Sequence, residues 1–415
     1  MDARGYYMDG GIKGLALAPP PYFDAIAGYL KKHEPEAWKW FSEDIGGGEH
    51  IERVRLELLK RAYRIDRESK ADVYALADVA RERLSLTAPV TFYQLQQAPG
   101  GMNVSLFHIP GEAHVAFSGP VLERVDRKEL SALVGHELGH FRLFEDWGRR
   151  FRVAAELLTA LVHDQEVRPA HMKSYRLFQL YSEVFCDRCS LVASEDLHAS
   201  ISGLVKVETG IDEVSAESYL RQTDEILSKG QVKTEGASHP ECYIRARALK
   251  LWSDGAEDVD ARVRDAIEGP PSLDGLDLLG QTRTMAMTRR LIDELLREPW
   301  MQSDAVMSHA RLFFDNFAPP KSKQSDDGLD DLAAIEDEKL ADYLCYVMLD
   351  FVSCDRDLEE PALAGAHLLS RRLGLAKSFR KIACKELKLR KRQFDKLEAD
   401  AEDILRSARD SGGQS

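Results

Sequence analysis

The chemistry in this chain starts with two histidines four residues apart, in the sequence His136-Glu137-Leu138-Gly139-His140. On an α-helix, residues at i and i+4 share one face, so both imidazoles can reach a single tetrahedral ion at about 2.0 Å each. Glu137 projects beside them. It is too far round the helix to be an easy ligand, but it can take a proton from an attacking water. A zinc hydrolase also needs a third protein ligand and an open fourth position. Glu183 offers the carboxylate. Asp187, one turn later on the same helix face, can accept a hydrogen bond from a ligand histidine and so fix its tautomer and ring orientation. The neighbours Tyr181, Val184, Phe185 and Cys186 predict a largely buried helix, in which unpaired acids would be costly.

A third feature is Ser238-His239-Pro240, with Arg245 six residues after the histidine. A tetrahedral intermediate carries an oxyanion, and a histidine supplied from outside the metal helices can donate to it, which makes His239 the candidate. Arg245 can orient the site through a carboxylate. Cys186-Asp187-Arg188-Cys189 also spells a CxxC. No second pair follows at metal-site spacing, and its surroundings predict two small buried residues rather than a redox couple.

These side chains need helices to hold them. Asp126 and Glu129 form the pattern of a capping box, opening an apolar helical run from Leu130 through Phe144 that contains the histidine pair. Further helices are expected at about 151–166 and 173–193, divided by Pro169. Upstream, the charged stretch 51–86 repeats its apolar residues at three- and four-residue intervals. The segments 90–95, 104–108 and 113–118 are rich in β-branched and aromatic residues and separated by glycine and proline, which predicts a small sheet. The expected fold class is therefore α+β, mostly helical: a zincin-type domain with a small sheet, followed by an all-helical module.

Taken together, the motifs resemble the HtpX-like and CAAX-prenyl-protease group of gluzincin metallopeptidases. The resemblance rests on order and spacing: Asn103 before a strand, Leu133-Val134-Gly135 ahead of HExxH, then Glu183-x-x-Cys186-Asp187, then Ser238-His239-Pro240 and Arg245. It covers roughly 51–252. It implies that His136, His140 and Glu183 hold one zinc ion, that Glu137 is the general base and acid, and that His239 helps to hold the oxyanion. It also implies that 113–118 is the edge strand on which an extended substrate adds by main-chain hydrogen bonds. Substrate contacts are accordingly expected at Asn103, Ala113, His114, Val115 and Ala116. Cys186 and Val104 stand where the family usually has alanine. The membrane anchor of many relatives is missing, so prenylated or membrane-embedded substrates do not carry over.

The remaining expectations come from composition. At 415 residues the chain exceeds one core, and 44% hydrophobic with 30% charged residues is ordinary for a folded protein. A net charge of −14 argues against a general nucleic-acid or anionic-membrane binder, and the partner that the resemblance implies is a protein or peptide substrate. No signal peptide is read at the start, and no window approaches the roughly 18 apolar residues of a membrane span. Six sparse cysteines fit reduced thiols in a cytoplasmic protein. The expected organisation is an N-terminal extension (1–50) with a hinge at Gly46-Gly47-Gly48, a metallopeptidase domain (51–265), a helical connector (266–320), an acidic linker (321–337) and a helical module (338–415). The last is faintly similar to TerB-like modules in its acidic turn around Asp355, Asp357, Glu359 and Glu360. A rival reading keeps the fold but gives a catalytically silent adaptor that binds a partner protein through that module.

Overall fold

The structure is a computed structural model, and it describes residues 17–43, 48–96, 101–230, 233–236, 238–269, 272–318 and 337–412. The chain divides into two compact units, Met1–Gly269 and Pro270–Ser415. The hinge glycines 46 and 47 and the linker residues 321–336 lie outside the described residues, while Gly48 begins a helix.

The first unit runs α1 (Pro21–His33), α2 (Pro35–Glu43), α3 (Gly48–Arg61), β1 (Ala62–Arg64), α4 (Ala71–Arg83), β2 (Val90–Leu95), β3 (Asn103–Ile109), β4 (Glu112–Ser118), α5 (Val121–Arg124) and α6 (Arg127–Glu145). It continues with α7 (Arg150–His163), α8 (Pro169–Ser194), α9 (Leu197–Thr209), α10 (Ala216–Ser228), α11 (Cys242–Ser253) and α12 (Val259–Glu268). The four strands form one mixed sheet in the order β1-β2-β4-β3, with β2 and β4 parallel and the other pairs antiparallel. Gly111, at φ +78°, makes the turn between β3 and β4 that an L-residue would strain. The expected mostly helical α+β fold is what the chain adopts.

The expected boundaries are redrawn at both ends. Helix α1 is no appendage: Phe23, Ile26 and Leu30 are fully buried, and Phe23 packs edge-on to Phe178 of α8. The expected connector 266–320 is divided as well. Its helices α13 (Leu278–Leu295) and α14 (Asp304–Phe313) share a core with α15 (Glu338–Ser353), α16 (Glu359–Arg372), α17 (Ala376–Glu386) and α18 (Lys391–Gly412), through residues such as Ile292, Val306, Leu344 and Phe379. In the acidic turn, Asp355 accepts a hydrogen bond from Ser303 Oγ at 2.6 Å and another from its own loop at the Asp357 N–H.

The site depends on α6 and α8, the most extensively packed pair of elements in the first unit. Asp126 caps α6, accepting from the Lys128 and Glu129 N–H groups, while Glu129 reaches back to the Asp126 N–H at 2.8 Å, completing the expected capping box. The same Glu129 is buried and also holds Lys206 Nζ and Ser202 Oγ, each at 2.8 Å, which ties α9 to the start of α6. Along their contact the two long helices approach through glycines. A methyl group on Gly135 would overlap the Ala193 side chain and lie 3.1 Å from the Cys189 carbonyl oxygen, and one on Gly139 would lie 2.9 Å from Cys189 Cβ and 3.0 Å from Cys186 Cα. The small Cys186 and Cys189, both fully buried, face these glycines from α8. Because backbone on both sides defines the gap, Gly135→Ala should cost about 2 kcal/mol or more and lower the thermal midpoint of the full chain by several degrees. An unchanged midpoint would show that the helices can move apart freely.

Candidate metal centre

From this close contact, α6 and α8 turn their polar residues toward one point. His136 and His140 lie one turn apart on α6, with ring centroids 5.1 Å apart. From α8, Glu183 Oε2 comes within 3.3 Å of His136 Nε2, and Oε1 within 3.4 Å of His140 Nε2. For donors about 2.0 Å from a tetrahedral ion, neighbouring donor atoms are separated by roughly 3.3 Å. The two imidazole nitrogens and the carboxylate therefore fit a divalent cation between them with little rearrangement. Their chemistry, two nitrogens and one oxygen, suits zinc.

Asp187 stands one turn along α8, and its Oδ1 lies 3.1 Å from His136 Nδ1. With a proton on Nδ1 donated to this carboxylate, the Nε2 lone pair is left facing the centre. Arg245 of α11 supports Asp187 with a two-pronged bond, Nε to Oδ2 at 2.8 Å and Nη2 to Oδ1 at 2.6 Å, and its Nη1 lies 3.2 Å from Glu183 Oε2. All three side chains are buried. Burial alone would raise the Glu183 and Asp187 carboxyls, but Arg245 and the histidines outweigh it and hold both below the usual carboxylate range, Glu183 well below. Burial likewise works against charge on His136, yet Asp187 and Glu183 push it up to about 10. The surroundings thus favour positive charge at the point where the donors meet.

Glu137 lies in the same cleft, buried, and its carboxyl is raised by that burial. The Leu106 backbone of β3 lies close to this carboxylate and works against the rise. His239 sits at the mouth with its side chain 60% exposed, its Nε2 3.5 Å from Glu183 Oε1 and its Nδ1 2.8 Å from Ser238 Oγ. All seven of the catalytic, ligand and supporting residues expected from the sequence are gathered in or against one cleft of about 500 Å³.

The expected edge strand requires correction. Ala113, His114, Val115 and Ala116 belong to β4, which lies between β2 and β3 and is buried along this stretch. Its main chain is paired on both sides, so no further strand can add there. His114 is turned instead to Tyr93 Oη at 3.1 Å and Glu112 Oε2 at 3.1 Å. The edge strands are β1 and β3, and of the two it is β3 that borders the cleft. Asn103, Val104, Ser105 and Leu106 line the cleft, and of the expected substrate contacts only Asn103 is among them. The burial of β4 on both faces is what an interior strand shows, and it follows from its pairing with β2 rather than from any signal in its own residues.

Cys186 is a second possible donor, since its sulfur and one nitrogen of each histidine all lie within 4.8 Å of one another. Burial, reinforced by Cys189 and Glu183, raises the thiol well above its ordinary value. A thiolate there would face three carboxylates, whereas Arg245 and the histidines hold Glu183 in the anionic form. All six cysteines are free thiols, and both members of the CxxC are buried. Among the described residues, no helix is long and apolar enough to cross a membrane.

Arg245→Met should leave Asp187 and Glu183 as buried, uncompensated acids, at a cost of about 3–5 kcal/mol in urea unfolding. Arg245→Lys, which keeps the charge and loses the fork, should fall between. Equal stability of all three proteins would contradict the role given to this side chain. No family model matches the chain, and no curated protein or solved structure matches it either.

Proposed function

We propose that this chain is a zinc-dependent endopeptidase of the gluzincin kind, with His136, His140 and Glu183 as metal ligands and Glu137 as general base and acid. The observation that carries the reading is the convergence of two Nε2 atoms and one carboxylate, 3.3 and 3.4 Å apart, in an open cleft that also holds a buried glutamate. The order and spacing of the motifs support the likeness to HtpX-like peptidases. A bound divalent ion would polarise the scissile carbonyl and make a water acidic enough to attack near neutral pH. Glu137 takes the proton of the attacking water and delivers it to the departing amine nitrogen. Its burial raises the carboxyl toward the range where a base can both accept and return a proton at neutral pH. An extended peptide adds to β3, whose outer edge borders the cleft, and its carbonyl oxygen is oriented toward His239, which donates a hydrogen bond as charge develops. Asp187 and Arg245 keep His136 in the ligating tautomer throughout.

Glu137→Gln should retain one zinc ion per chain, measured by elemental analysis, while hydrolysis of an unfolded protein falls by about 10² to 10⁴-fold. A variant that binds zinc and still cleaves at the parent rate would remove Glu137 from the reaction. Metal binding without hydrolysis by the parent protein would favour a scaffold role.

A further inference from the structure

One wall of the cleft belongs to α9, a helix absent from the motif pattern. Ser200, Leu204, Val207 and Glu208 line the cleft at i, i+4, i+7 and i+8, so a single face of α9 is turned to it. Across from them, Leu133 of α6 lies one turn before Glu137, and it lines the cleft as well. Apart from Ser200, the side chains of this wall are apolar, Leu133, Leu204 and Val207, and the α9 face ends in one carboxylate.

That carboxylate is poorly accounted for by the fold. Glu208 is exposed and occupies the last turn of α9, where the helix already presents its negative end and an acid is unfavourable. Among the described residues it has no hydrogen-bond or ion-pair partner. The basic groups around the cleft are committed elsewhere. Lys206 is held by Glu129 and the Arg124 carbonyl, Arg124 by Asp212 and the Gly210 carbonyl, and Arg245 by Asp187 and Glu183. Cys242, at the start of α11, is pushed up to about 11 mainly by burial, with the Glu208 charge adding to it. Glu208 thus lies toward the α11 side of the cleft, the side from which His239 enters.

We propose that Glu208 is a specificity-determining residue of this cleft, pairing with the ammonium or guanidinium of a substrate Lys or Arg whose aliphatic stem lies along Leu133, Leu204 and Val207. Long basic side chains suit such a place because the stem buries against apolar surface while the charged end stays at the wetter rim. An acidic side chain in the same position would face Glu208 and the helix end together. The assignment rests on the endopeptidase reading of this same cleft.

The test uses the zinc-loaded full chain and a mixture of synthetic peptides that differ at one central position, Lys, Leu or Glu, with products mapped by mass spectrometry. Cleavage next to Lys should exceed cleavage next to Leu by about five- to tenfold and next to Glu by more, and Glu208→Gln should remove most of that difference. Glu208→Lys should reverse it in favour of Glu. Binding of the same peptides to Glu137→Gln, followed by fluorescence anisotropy, should show the same ranking and lose it when Glu208→Gln is added. Peptidase activity whose preference is unaffected by either change at 208 would overturn the role of Glu208 and leave the hydrolase standing. A Glu208-dependent binding preference with no cleavage by the parent would support the pocket and overturn the hydrolase reading. Neither preference nor cleavage would overturn both.

Discussion

The structure around the candidate centre depends on how closely α6 and α8 approach. Two glycines on one helix and two buried cysteines on the other bring backbone near backbone. That closeness lets the short reach of Glu183 meet both imidazoles. A methyl group at Gly135 or Gly139 would press the helices apart and draw the carboxylate away from the nitrogens. The apolar packing on either side makes the arrangement stiff, since interiors packed at this density yield little. The chemistry is therefore a consequence of a packing constraint.

Around this contact, charge is balanced in layers. Three carboxylates and one guanidinium are buried within a few ångströms of one another, a costly arrangement unless each group is bonded to another. Arg245 serves two of the acids at once, and Asp187 passes its support on to His136. Glu137 stands apart from this network, close to the Leu106 backbone and raised by burial. Of the two buried glutamates in the cleft, Glu183 is thus held ionised and Glu137 is left closer to neutrality. That difference in surroundings suits the proposed roles, a ligand for Glu183 and a base for Glu137. At the rim lie His239, exposed at the mouth, and Glu208 at the end of α9.

Much of this was legible in the sequence because it is local or follows helical spacing. The capping box at Asp126 and Glu129 marks the start of α6, the i and i+4 histidines share its face, and Glu183 with Asp187 repeats that logic on α8. Strand order was not legible in the same way. β3 and β4 are neighbouring short strands of similar composition, and which one is left at the edge depends on the parallel pairing of β4 with β2, a contact between residues some twenty positions apart. The place of α1 in the core was hidden because its partners, Phe151 and Phe178, lie more than a hundred residues away. Gly139 was read only as part of a motif, although its missing side chain is what admits Cys186 and Cys189. The wall formed by α9 carries no motif, and only the fold brings Leu204 and Glu208 to the cleft.

In the proposed site two imidazoles and the Glu183 carboxylate, and not the nearby Cys186 thiol, meet at one ion. X-ray absorption at the zinc edge of the metal-loaded protein distinguishes the two donor sets. The expected spectrum has a first shell of nitrogen and oxygen only, at about 2.0 Å, with the outer scattering of two imidazole rings. A sulfur neighbour at about 2.3 Å, or a protein that takes up no zinc at all, would contradict it.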